Sequence, residues 1–111
     1  MENKNEFETY CVNKIDAYLS EHNIKPNVKR KFRETKEIYG TVYKFSHFGI
    51  EVSEGQVLIF GKYKSTYFDK ELYENKDKLL EVLLPAILEH YNNPALTKHP
   101  IIRFFNRLKG R

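Results

Sequence analysis

The stretch Thr41–Phe68, TVYKFSHFGIEVSEGQVLIFGKYKSTYF, restricts the fold of this chain more than any other part of it. β-Branched and aromatic residues dominate it, and such side chains suit a pleated, half-buried surface. At its centre Glu54-Gly55 separates two alternating apolar runs, and glycine there admits the positive φ of a tight turn. A two-residue loop pairs Val52 with Val57 and Ile50 with Ile59, which places all four on one face. Gly49 and Gly61 relieve crowding or allow bulges. Phe45-Ser46-His47-Phe48 shifts the apolar phase and is either a bulge in one strand or a turn between two. The expectation is an antiparallel meander of three or four strands.

Helical periodicity flanks this β-region. From about Asn5 to His22, Phe7, Cys11, Ile15, Tyr18 and Leu19 form one apolar stripe. Asn5 and Glu8 have the spacing of a capping box, Asn23 suits a stop, and Pro26 opposes continuation. Cys11 lies within the stripe and reads as a buried structural thiol. Between them, KPNVKRKFRETKEIYG has only Val28, Phe32 and Ile38 as strong apolar anchors. A strand is expected in its second half, ending near a Tyr39-Gly40 turn.

After Phe68, Asp69 is the expected cap of a helix reaching about Tyr91. Leu72, Leu79, Leu80, Leu83, Leu84, Ile87, Leu88 and Tyr91 would form its broad apolar stripe, making it the core helix. Pro85 removes a backbone donor and crowds the Glu81 carbonyl, so a kink or short break is expected there. Asn92-Asn93-Pro94 ends it. The tail HPIIRFFNRLKGR places Ile101, Phe104, Phe105 and Leu108 at i, i+3, i+4 and i+7, with Pro100 at a first helical position and Gly110 at the end. Burying each large apolar side chain contributes about 1.5–3 kcal/mol, so this amphipathic helix is expected to pack its apolar side on the same molecule. The fold class that follows is α+β: N-terminal helix, antiparallel meander, kinked core helix and C-terminal amphipathic helix. Its helices cover one sheet face.

The chain has 111 residues, 41% hydrophobic and 31% charged. This fits one domain over residues 1–111 with a well-solvated surface, and fits neither a disordered chain nor a disulfide scaffold. One cysteine cannot form an internal bridge, which suits a reducing compartment. The N-terminus is polar and acidic, unlike a signal peptide, and the run Leu79–Leu88 is too short to span a bilayer. A cytoplasmic location without membrane contact is expected. The usage of Lys, Asn, Ile and Tyr suggests AT-rich coding DNA, as in bacteria and their mobile elements.

Charge alternates along the chain. Residues 1–24 carry net −3, 25–36 net +5, 37–68 zero, 69–93 net −3 and 94–111 net +5. Either the blocks neutralise each other in the fold, or both basic blocks meet on one anion-binding face; the first is favoured. Lys29, Arg30, Lys31, Arg33, Lys36, Arg103, Arg107 and Lys109 are the candidates for contacting a partner or nucleic acid. Tyr43, Lys62, Tyr63 and Lys64, with Lys44 and Tyr67, are candidates for an exposed sheet face.

Catalytic signatures are sparse. The five glycines match neither a phosphate-binding loop nor a dinucleotide fingerprint. Scattered histidines at 22, 47, 90 and 99 have no metal-ligand spacing, so neither metal nor cofactor is expected. His47 is the one histidine worth testing, with a half-buried aromatic neighbour as its plainer reading. Glu34-Thr35-Lys36 fits the E-x-K element of metal-dependent nucleases, with Glu51 as the partner acid it would need, and gives a remote third reading.

The order helix, meander, helix resembles the layout of double-stranded-RNA-binding domains. The second helical region here begins acidic, DKELYENKDK, where such domains place lysines, so the likeness stops at element order. The leading expectation is a small non-enzymatic interaction protein of the inhibitor, adaptor or immunity type that binds a larger protein. The alternative is a nucleic-acid-binding module using blocks 25–36 and 98–111.

Overall fold

The computed structural model describes residues 5–33, 35–61 and 65–94. Helix α1 (Glu6–Glu21) is followed by strands β1 (Val28–Arg33), β2 (Tyr39–Lys44), β3 (Gly49–Ser53), β4 (Gln56–Phe60) and β5 (Ser65–Asp69). A single 3₁₀ turn (Lys70–Leu72) then leads to helix α2 (Lys76–Asn92). The five strands form one antiparallel sheet in the order β1-β2-β3-β4-β5. The fold is α+β with five strands, more than the three or four expected. The expected C-terminal amphipathic helix lies outside the described residues.

The β3–β4 hairpin has the expected register. Val52 pairs with Val57 and Ile50 with Ile59, and Gly55 takes φ 99° in the turn. These four side chains are all but inaccessible and meet the stripes of both helices. Phe7, Cys11, Ile15 and Leu19 come from α1, and Leu79, Leu80, Leu83 and Ile87 from α2. Phe45–Phe48 is a turn between β2 and β3, closed by the Phe45 N–H donating to the Phe48 carbonyl at 2.8 Å. The two phenyl rings stack with centroids 4.5 Å apart. Both helices pack on the same face of the sheet, so strand alternation divides its residues into a helix-covered set and a set that no described helix covers, here termed the uncovered face.

Helix α1 begins differently from the capping-box expectation. The Asn5 side chain makes no cap bond. Its Oδ1 accepts from the Tyr39 N–H at 2.9 Å, tying the helix start to β2. The orphan amides of Phe7 and Glu8 instead donate to the two carboxylate oxygens of Glu54, each at 3.1 Å. A carboxylate from the β3–β4 turn thus supplies both acceptors and opposes the positive end of the helix dipole. At the other end Asn23 adopts φ 56°, and the Ile24 N–H reaches back to the Leu19 carbonyl at 2.8 Å, a Schellman-type stop.

Two further expectations are corrected, and a third is not shown. The strand in the 25–40 segment occupies its first half, Val28–Arg33, and Tyr39-Gly40 lies inside β2 rather than in a turn. Between these strands Thr35 Oγ1 accepts from the Ile38 N–H at 3.1 Å, within a bend over 35–37. Asp69 caps only the 3₁₀ turn, through the Glu71 N–H at 3.0 Å, whereas Asn75 caps α2 through the Lys78 N–H at 2.9 Å. Leu72, expected in the core stripe, is therefore exposed. The kink or break at Pro85 is not shown: α2 is one continuous helix through that position. Glu81, Val82 and Pro85 all lie on its exposed side, where water can take the carbonyl that proline leaves without a donor.

Candidate interaction surface

Strand alternation sorts the basic residues of β1 before any other consideration. Lys29 and Lys31 point to the helix-covered side. Lys29 Nζ lies 2.7 Å from Asp16, and Lys31 Nζ lies 2.6 Å from Glu8, both acids on α1. The acidic first block thus neutralises part of the basic second block inside the fold. Arg33 donates to the Tyr39 hydroxyl at 3.1 Å and its guanidinium sits 5.4 Å from the Tyr39 ring centroid. Lys36 is exposed in the β1–β2 turn. Arg30, out of phase with its neighbours, falls on the uncovered side and has no hydrogen bond or ion pair among the described residues.

Tyr43 corrects the list of exposed face residues. It pairs with Ile50, is fully buried against α1, and donates to Asp16 at 2.8 Å. Burial, then the hydrogen bond to Asp16, holds its phenol far above the ordinary tyrosine range. Thr41, two residues earlier on the same side, donates to the buried Glu8 carboxylate. Lys62, Tyr63, Lys64, Arg103, Arg107 and Lys109 lie outside the described residues, as does Glu34, so the meeting of the two basic blocks does too.

The uncovered face can be read from the register. One row across the sheet holds Arg30, Val42, Glu51, Leu58 and Tyr67; the adjoining row holds Val28, Lys44, Gly49, Phe60 and Ser65. Phe32 and Phe60 fold over Gly40 and Gly49, where a Cβ would stand 2.2 and 2.3 Å from the ring atoms. These rings shelter the glycine backbone and leave an apolar floor. Val42 is buried on this side, outside the helix-covered core, while Tyr67 is 58% and Val28 41% exposed. Glu51 stands half-buried in the middle with no ion pair or hydrogen bond among the described residues. No described helix covers this face.

At the β2–β3 end, this floor runs into an open cleft of about 420 Å³ lined by Lys44, Phe45, Ser46, His47, Phe48, Phe60 and Gly61. His47 marks where the cleft meets α2. Its Nε2 lies 2.7 Å from the His90 carbonyl, one of the last-turn carbonyls that the helix itself cannot satisfy. His90 in turn uses Nδ1 on the Ala86 carbonyl at 2.7 Å. His47 is also half-buried beside Phe48, with ring centroids 5.1 Å apart. It closes a helix end.

The features proposed for catalysis do not assemble among the described residues. Thr35 and Lys36 lie in a turn, and Glu51 lies on β3, which pairs with β2 and β4 rather than with β1. No group of three His, Cys, Asp or Glu residues suited to a metal ion occurs among the described residues. Cys11 is fully buried and its thiol is pushed up to about 12, mainly by burial. No helix among the described residues is long and apolar enough to cross a membrane. No protein-family model, curated protein or solved structure matches the chain.

The uncovered face was partly visible in the sequence, since Lys44 and Tyr67 belong to it. Arg30, Val42, Glu51, Leu58 and Phe60 were missed as a set. Three of them have a signal in the register of the Glu54-Gly55 hairpin: once Ile50, Val52, Val57 and Ile59 face the core, Glu51, Leu58 and Phe60 must face away.

Proposed function

We propose that the chain is a small non-enzymatic interaction module that binds a larger protein through the uncovered face of its sheet. One observation supports this reading: two helices bury one side of the sheet, while the other presents Tyr67, Val28, Leu58 and Phe60 around Arg30 and Glu51, neither of which has a hydrogen bond or ion pair among the described residues. Exposed tyrosine and arginine beside an apolar floor are the side chains that most often dominate protein–protein contacts. Inhibitors, adaptors and immunity-type proteins act this way, by occupying a surface of their target. The lone buried thiol suits a reducing, cytoplasmic setting.

The test compares three variants for retention of a partner from host lysate and, once it is identified, for affinity by calorimetry. Tyr67→Ser and Arg30→Glu alter the uncovered face; Val82→Ser alters the outer side of α2, where Val82 is 49% exposed. Loss with the first two and retention with the third supports the reading. Loss with Val82→Ser alone overturns it. Salt-sensitive recovery of DNA or RNA in place of a protein would support the nucleic-acid alternative.

A further inference from the structure

Among the described residues, strand β1 is bonded on one side only, to β2, and no strand or helix covers its outer edge. Five of its six residues are exposed. A bare edge is a template for strand addition, and cations on it are a usual guard against self-association. The guard is selective. A second copy of the same edge would set Lys29, Arg30, Lys31 and Arg33 against like charges, which destabilises cross-strand pairs, whereas an acidic strand meets opposite charges. β5, the other outer strand, has one acid, Asp69, and no cation.

We propose that the outer edge of β1 accepts an extended acidic segment of a partner protein as a sixth strand. The alternation of β1 specifies that segment. Val28, Arg30 and Phe32 share the face that no described helix covers, so the incoming strand would read apolar–x–acidic–x–apolar, with its acid beside Arg30, which has no ion pair among the described residues. The two x positions lie beside Lys29 and Lys31, which are already paired to Asp16 and Glu8, so the selection for an acid rests on the central position beside Arg30. A peptide is preferred over nucleic acid as occupant. Lys29 and Lys31 are already ion-paired to α1, and what repeats along the edge is the peptide N–H and C=O, which a phosphate backbone cannot ladder. This rests on the reading of the chain as a protein-binding module but uses the sheet's edge instead of its face.

The experiment titrates isotope-labelled full chain with a blocked peptide of Glu and Val, its valines two residues either side of a central Glu, and follows backbone amides by NMR. The expected result is shifts confined to Val28–Arg33, with slowed hydrogen exchange along β1. Arg30→Glu weakens binding by about tenfold, the scale of reversing one cross-strand charge pair. A peptide of equal charge with prolines at alternate positions does not bind, because it lacks the donors. Absence of shifts in β1 overturns the proposal. Equal binding of the proline peptide, or equal shifts in β1 with a short single-stranded oligonucleotide, also overturns it, since charge alone would then explain the contact. Tyr67→Ser leaves the peptide shifts intact. If it abolishes them, the edge site falls while the face reading stands.

Discussion

Lys31 Nζ stands 2.6 Å from a carboxylate oxygen of Glu8, a residue only 1% exposed, and this pair ties the outer strand to the first helix. Removing the lysine leaves a buried carboxylate with Thr41 but without its cation. Lys31→Met is therefore expected to destabilise by about 1–3 kcal/mol, as for other buried groups stripped of a partner. Lys29→Met, whose pair with Asp16 is well exposed, should change stability by less than about 1 kcal/mol. Urea denaturation of both variants checks the difference; equal effects would mean that Glu8 is not held by this contact.

Glu54 predicts a long-range cap effect. Glu54→Ala removes the acceptors of the Phe7 and Glu8 amides and should lower stability by about 1–2 kcal/mol, with loss of helical signal. Glu54→Gln, which retains one oxygen acceptor, should lose less. Circular dichroism with denaturation distinguishes this from a merely local turn effect.

Pro85→Ala restores a donor in the middle of α2. Alanine exceeds proline in a helix interior by about 3 kcal/mol, and part of that should appear as increased stability, on the order of 1–2 kcal/mol. A decrease in melting temperature would show that α2 depends on a bend at this position.

Alkaline pH should unfold the protein in two steepening stages. The Cys11 thiol is pushed up to about 12 from 9.0, and the Tyr43 phenol lies above its ordinary 10.0. In both, the folded state holds its proton after the unfolded state has released it. Their contribution is complete below the unfolded values and declines as pH rises, first above about 9, then more steeply above about 10, by up to about 1.4 kcal/mol per unit per group. Stability measured against pH should lose the first stage in Cys11→Ala and the second in Tyr43→Phe. At pH 8, Cys11 should resist alkylation until denaturant is added.

Local pattern revealed what short-range physics decides. The Glu54-Gly55 turn fixes the Val52–Val57 and Ile50–Ile59 pairs, and the Phe7–Leu19 stripe makes α1. What the pattern concealed depends on distant partners. β1 lacks the apolar alternation of a core strand because its inward positions are Lys29 and Lys31, satisfied by acids 13 and 23 residues earlier in the chain. Tyr43 looked like a surface residue because its hydroxyl partner, Asp16, comes from another element. The cap of α1 was invisible for the same reason, being 46 and 47 residues away. The uncovered face was legible in part, through Lys44 and Tyr67, while the place of Arg30 and Val42 on it depends on the β1–β2 and β2–β3 registers.

The most direct measurement places a photo-activated cross-linker at position 67 on the uncovered face and, separately, at position 82 on the outer side of α2, in cells of the native host. A discrete protein adduct is expected from position 67 and none from position 82. An adduct from position 82 alone, or nucleic acid captured at position 67, would contradict it.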